Sequence, residues 1–265
     1  MSEPLVSAII VNHNGIAFVD DCLRAVLNSQ YGNFEVIFVD NGSTDGSLEY
    51  AKRTFGSDLR LKFVENRKSL GPAVGRNRGA AIAKGEFFLF FDNDTQIDKS
   101  CIQELVNVLQ QDKTIGSAQA KLLRMNTDKL YDCAGDYLGP LGFLIERSRG
   151  AKDTGQLDFI ANILSAKSAA SFIRADLFRK IGGFDEDFYM YLEETDLSWR
   201  VWLAGLRVVF VPRAVVYHAF ATPKKSFKKY YSKYTVRYYG CRNYITTLVK
   251  NLELRSLVCF LPVHI

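Results

Sequence analysis

This 265-residue chain carries five cysteines (Cys22, Cys101, Cys133, Cys241 and Cys259), an odd number with no Cys-x-x-Cys pair. That argues against a zinc or disulfide framework and for a reducing compartment. The opening Met1-Ser2-Glu3-Pro4 leads into an apolar strand pattern with neither a basic segment nor a leader-type run, so no secretory signal is expected. The last apolar run, 256–265, is too short to cross a bilayer. No internal repeat occurs. There is no Walker loop with its Lys-Ser/Thr and no Gly-x-Gly-x-x-Gly after the first strand, which removes the two commonest glycine-rich phosphate cradles.

What is present is the composition of a globular protein: 48% apolar and 24% charged. The length suits one α/β domain with a sizeable core. The net charge of +5 conceals an asymmetry. Residues 222–265 hold nine basic residues and one acid, Glu253, which leaves residues 1–221 at −3. A mildly acidic body joined to a basic tail implies two surfaces with different partners.

Strand patterns at 5–11, 34–39, 61–64, 87–91 and 117–121 alternate with helix-length segments at 16–29, 46–55, 72–84 and 98–111. In the first helix, Val19, Cys22, Leu23, Val26 and Leu27 form a stripe at helical spacing. Such alternation predicts a mostly parallel sheet flanked by helices. From 122 to 160 the pattern is broken by glycines, as in a functional loop or lid. Further on, 169–173 reads as a strand, 195–205 as a helix, and 207–211 and 214–217 as strands around Pro212.

The segment 87–91 is a buried-strand run with Asp92-Asn93-Asp94 at its carboxyl end, the edge of an open parallel sheet where ligands bind. Two carboxylates at about 4 Å repel by roughly 4 kcal/mol at an effective dielectric near 20. A divalent cation such as Mg²⁺ or Mn²⁺ reverses that sign and bridges carboxylate to phosphate. Asn12-His13-Asn14-Gly15 and Asp40-Asn41 follow the first two strands, so their polar groups are expected to converge with the acidic pair. A carboxylate at Asp40 suits a base N–H or a ribose hydroxyl. Arg76, among small neighbours, is expected to turn inward toward a diphosphate, whereas Arg78 stays exposed. A second acidic cluster, Glu193-Glu194-Thr195-Asp196, follows the apolar run 188–192. Desolvation there brings a carboxyl into the range of a general base. Asp196 is expected to cap the helix, leaving Glu193 or Glu194 for chemistry.

As a set these motifs resemble the inverting family-two glycosyltransferases of GT-A fold, particularly a rhamnosyltransferase-like branch. The similarity runs in order from 5 to 218, through 11–15, 39–47, 71–79, Asp92-Asn93-Asp94, 182–186, 193–197 and Val216-Tyr217-His218. It implies a catalytic domain over 1–221, with a nucleotide-binding half (1–121) and an acceptor-binding half (122–221). It also implies a UDP, dTDP or GDP sugar donor, Mn²⁺ or Mg²⁺, and a glycan or polyprenyl-linked acceptor. By position, Asn12, Asn14, Asp40, Asn41, Arg76, Asp92 and Asn93 would hold the donor. Asp92, Asp94 and His218 would hold the metal, and Glu194 or Glu193 would be the base. Family members usually carry Asp where this chain has Glu194. Asp136, Arg147 and Arg149 are expected to shape the acceptor pocket or close over the donor.

In the tail, Phe227, Tyr231, Tyr234, Tyr238, Cys241, Ile245, Leu248 and Leu252 form a helical stripe flanked by Lys228, Lys229, Lys233 and Arg237. One reading packs this stripe on the catalytic domain. The other lays a basic-aromatic helix on an anionic leaflet, which places the protein in the cytoplasm at the inner face of the cell membrane. The competing functions are a nucleotidyltransferase, which should carry a glycine- and lysine-rich loop near the first strand, a silent sugar-nucleotide binder, and a nucleic-acid binder built on the tail. Two carboxylate clusters in an acidic body argue against nucleic acid.

Overall fold

A computed structural model describes residues 3–139, 142–219 and 233–264. In the first half, β1 (Val6–Asn12), β2 (Phe34–Asp40), β3 (Leu61–Glu65) and β4 (Phe87–Asp92) alternate with α1 (Val19–Leu27), α2 (Ser47–Phe55) and α3 (Gly71–Ile82). Then follow β5 (Thr95–Ile97), α4 (Cys101–Gln111), β6 (Ile115–Arg124), β7 (Tyr131–Cys133), β8 (Asp136–Leu138), β9 (Leu144–Glu146) and β10 (Ala161–Asn162). The remainder comprises β11 (Ser171–Arg174), α5 (Ala175–Lys180), α6 (Glu193–Leu203), β12 (Arg207–His218), α7 (Lys233–Asn251) and α8 (Leu254–His264).

One sheet in the order β10-β12-β6-β11-β4-β1-β2-β3 organises the molecule, with β5 on β12, β7 on β6 and a separate β8–β9 hairpin. The longest strands pair in parallel (β3-β2-β1-β4 and β6-β12), as expected, while β11 and the short strands run antiparallel. Period-two alternation sorts the side chains onto two faces. Val6, Ala8, Ile10, Val36, Phe38, Leu89 and Phe91 meet α1, α2 and α4 on one face. Ile9, Ile37, Val39, Phe88 and Phe90 meet α3, α5 and α6 on the other. Burial on both faces explains why these strands read as continuous apolar runs.

Three expectations change. The strands around Pro212 are a single strand, β12, whose register with β6 shifts between Val211 and Val215, an irregularity that accommodates a proline. The 169–173 strand starts later, because Ser168–Ala170 form a 3₁₀ turn. The 122–160 segment is partly ordered by β7 and the β8–β9 hairpin.

The tail stripe falls partly outside the described residues, including Phe227, Lys228, Lys229 and Tyr231. In α7 its first members are exposed, Tyr234 at 83% and Tyr238 at 60%, and among the described residues of the stripe only Leu248 is buried. The buried face is instead largely polar, made by Asn243, Thr247 and Asn251 beside Leu248. Among the described residues no helix is long and apolar enough to cross a membrane.

Candidate active site

The strand ends converge on one edge: Asn12 pairs in register with Asp40, and Val11 with Asp92. Asn12, fully buried, is the hub. Its Nδ2 donates to Asp40 Oδ1 (3.0 Å), Ser43 Oγ (3.1 Å) and Ser47 Oγ (2.8 Å), and its Oδ1 accepts Asn93 Nδ2 at 2.6 Å. A Cβ at Gly15 would lie 1.8 Å from Asn93 Nδ2, so glycine there is what lets Asn93 reach Asn12. Asp40 Oδ2 accepts the backbone N–H groups of Gly42 and Ser43. Asn41 donates to Gly71 O at 3.0 Å and accepts from Asn66 Nδ2 and Leu70 N. Asn14, at φ 53°, accepts Thr44 N at 2.8 Å. His13 Nδ1 lies 3.0 Å from Asn41 O. These side chains form one interlocked polar wall.

Arg76 turns inward from α3 as expected, but its guanidinium meets carboxylates rather than an open groove. Nη2 donates to Asp92 Oδ1 at 2.8 Å and Nη1 to Glu193 Oε1 at 2.7 Å, with the side chain only 4% exposed. Burial opposes its charge, yet Asp92 and Glu193 prevail and hold its pKa above the usual arginine value. This fork joins the two acidic clusters into one site. Among the described residues, Arg76 Nε and Glu193 Oε2 are buried without a hydrogen-bond partner. Arg78 is exposed, as expected, and reaches Asn66 Oδ1.

Asp92, Asp94 and His218 each bring a ligand atom within 4.8 Å of the others. Asn12 and Asp92 come from parallel strands, whereas His218 arrives from the end of β12, where Tyr217 and His218 pair with β5. His218 Nδ1 lies 2.8 Å from Asp132 Oδ2, and Nε2 lies 3.3 Å from Asp94 Oδ1. Burial disfavours the imidazolium, but hydrogen bonds to Asp132 and Asp94 outweigh it and push the pKa to about 10. With Nδ1 fixed by Asp132, neutral His218 would aim the Nε2 lone pair at the carboxylate pair, the arrangement of a metal-ligating histidine. Two carboxylates and an imidazole fit a divalent cation of the Mn²⁺ kind, and Mg²⁺, which prefers oxygen alone, less well. A cavity of about 470 Å³ opens beside Asp94, lined among others by Phe18, Asn93, Met125 and Tyr217.

Glu193 and Glu194 both sit in the first turn of α6. Burial pushes the Glu193 carboxyl up, against the pull of Arg76. Glu194 is half-buried, and burial followed by the charge of Glu193 raises its pKa to about 7, with Lys167 opposing. Glu193 is therefore committed to Arg76, and Glu194 is the carboxylate poised near neutrality.

Asp196 does not cap α6. The N-cap position is Leu192, in the left-handed region, with no side-chain cap. Asp196 is fully buried and bonded to Arg200 (2.9 Å), Lys250 (2.9 Å) and Asn251 (3.0 Å), which ties α6 to α7. Asp136 is also fully buried, accepting from Ser165 Oγ at 2.7 Å and pairing with Lys167 at 3.0 Å. Arg149 pairs with Glu146, and Arg147 lies over Tyr137, Phe159 and Phe210. Sequence reasoning missed Asp132 and Lys167. Neither stands in a recognisable pattern, and both are placed by β7 and the loop before β11.

The mixed sheet, the acidic end of β4 and the acidic start of α6 define a GT-A fold. Residues 7–182 match the model of Glycosyl transferase family 2, and the chain belongs to that family. An uncharacterized glycosyltransferase of Haemophilus influenzae is 31% identical over 115 residues, covering 43% of this chain and 46% of the relative. The chain thus spans about half the length of that curated relative. GalNAc-T7, crystallised with UDP, GalNAc and Mn²⁺, superposes with TM-score 0.73 at 18% identity, covering 93% of this chain and 48% of that one. A mannosyltransferase from Pyrobaculum calidifontis, in complex with GDP-Man and Mn²⁺, gives TM-score 0.65 at 16% identity, covering 99% and 80%.

Proposed function

We propose that the chain is an inverting glycosyltransferase that moves a sugar from a nucleoside-diphosphate donor to a hydroxyl of a glycan or polyprenyl-linked acceptor. The observation that supports this most is the Arg76 fork, which sets the Asp92–Asp94–His218 ligand cluster beside the carboxylates of α6. Glu194 takes the acceptor hydroxyl proton. The freed oxygen attacks the anomeric carbon, and the bond to the diphosphate breaks with its electron pair leaving on the diphosphate. One base on the attacking side gives inversion. Asp92, Asp94 and His218 would hold the divalent cation, which supplies charge neutralisation at the leaving group. Arg76 holds Asp92 and Glu193 in place. Asn12, Asn14, Asp40, Asn41 and Asn93 shape the nucleoside side of the site, through Asp40 above all. Exposed Tyr234 and Tyr238, with the basic residues of 222–265, support peripheral contact with the inner face of the cell membrane.

Calorimetric titration of UDP, GDP and dTDP with and without Mn²⁺ tests the donor site on wild type and Asp94→Ala. Binding of one diphosphate that needs the metal and is lost in the variant is expected. Failure of all three to bind wild type would overturn the proposal.

A further inference from the structure

The loop that delivers Glu193 and Glu194 is held in an unfavourable backbone form. Tyr189, Tyr191 and Leu192 all have positive φ, at 60°, 67° and 67°. None is a glycine or asparagine, the residues that visit this region readily, so outside contacts must hold the conformation. They come from α7. Asn243, fully buried, aims Nδ2 at three carbonyl oxygens of that loop: Phe188 O (2.8 Å), Met190 O (2.7 Å) and Tyr191 O (2.8 Å). An amide carries two N–H donors, so one is shared. Asn243 Oδ1 accepts Arg242 Nε at 2.9 Å, which fixes the orientation, since the flipped amide would set oxygen against three oxygens. Around this contact Arg242 donates to Asp187 O and Phe188 O, and the rings of Tyr189 and Tyr239 lie 5.1 Å apart. Lys250 pairs with Asp185 at 2.5 Å.

We propose that Asn243 is a positioning residue for the transfer reaction. It holds Tyr189, Tyr191 and Leu192 at positive φ so that α6 starts where Glu194 meets the acceptor hydroxyl. The inference rests on the transferase reading of the site. The mechanism gives Asn243 no contact with donor, metal or acceptor; it acts only through the loop. Replacement should therefore misplace the base without touching the nucleoside wall.

Asn243→Asp tests this at equal volume, because a carboxylate cannot donate to the three carbonyls, and Asn243→Ala serves if the first does not fold. Two measurements are made on the full chain: amide hydrogen exchange, and steady-state transfer from whichever UDP, GDP or dTDP sugar the calorimetry selects. The expected result is faster exchange confined to about 187–194, with kcat about tenfold lower or worse, since small misplacements of reacting groups are costly. The donor KM should stay within about twofold. Unchanged exchange overturns the proposal, as does a loosened loop with unchanged kcat. So does a uniform rise in exchange with kcat falling only in proportion to the folded fraction. A wild-type chain that turns over no nucleotide sugar overturns the transferase reading and this role with it. Exchange, which needs no substrate, tells that failure apart from failure of the clamp.

Discussion

Replacing Glu194 with glutamine should cut turnover sharply and stabilise the fold above neutral pH, and the two effects share one cause. Burial and the charge of Glu193 raise the Glu194 pKa from 4.5 to about 7. At about 1.4 kcal/mol per unit, ionising this carboxyl in place costs on the order of 3 kcal/mol more than in the unfolded chain. The sign follows from linkage. A carboxyl whose folded pKa is raised contributes fully below its unfolded value, and the contribution is lost as pH rises through about 7. The folded enzyme at pH 8 therefore carries a penalty that Glu194→Gln removes. Since Glu194 is half-buried, about 1–3 kcal/mol is expected in urea melts at pH 8, and close to none at pH 4.5. Removing the base should lower kcat by about 10²–10⁴-fold. In wild type kcat should climb about tenfold per pH unit below 7 and level above it. A variant that keeps the acid limb, or that is less stable than wild type at pH 8, refutes the assignment of Glu194 as the base.

Asp132→Asn should weaken Mn²⁺ binding about 10–100-fold while nucleoside diphosphate still binds at saturating metal, because the ring of His218 loses the carboxylate that orients it; unchanged calorimetric affinity would contradict that. Arg76→Met leaves the carboxylates of Asp92 and Glu193 without their shared cation and should cost about 3–5 kcal/mol in denaturant melts, with Mn²⁺ affinity falling as Asp92 is freed. Gly71→Ala sets a Cβ 2.4 Å from Tyr189 O at a residue with φ +83°, and should cost at least about 1 kcal/mol and displace the loop before α6, read by melting and by lost turnover.

The parts of this protein that could be read from its sequence are those in which neighbours along the chain share a task. The run 87–91 announces a strand because both sheet faces bury it, and Asp92 and Asp94 are legible because they lie at that strand's carboxyl end. Arg76 was legible as an inward-turning arginine, but not its partner, since the choice between a phosphate and Glu193 is made across 117 residues of chain. His218 came into view only through the family resemblance, and Asp132 not at all, as a lone acid in an irregular stretch carries no pattern.

The helix α7 marks where periodicity misled for a physical reason. A search for an apolar stripe selects Tyr234, Tyr238 and Cys241, which face away from the domain. The face turned inward repeats at spacing four, as Asn243, Thr247 and Asn251. It is polar because what it covers is not a core but the edge of a strained loop and the buried carboxylate of Asp196. Backbone carbonyls removed from water need donors, and burying them against leucine would cost about 1–3 kcal/mol each. A helix that docks on such a loop must therefore present amides where a helix docking on a sheet presents leucine. At the two ends of the Asn-x₃-Thr-x₃-Asn spacing, Asn243 meets the carbonyls of Phe188, Met190 and Tyr191 and Asn251 meets the carboxylate of Asp196, while Thr247 between them turns its hydroxyl back to Asn243 O.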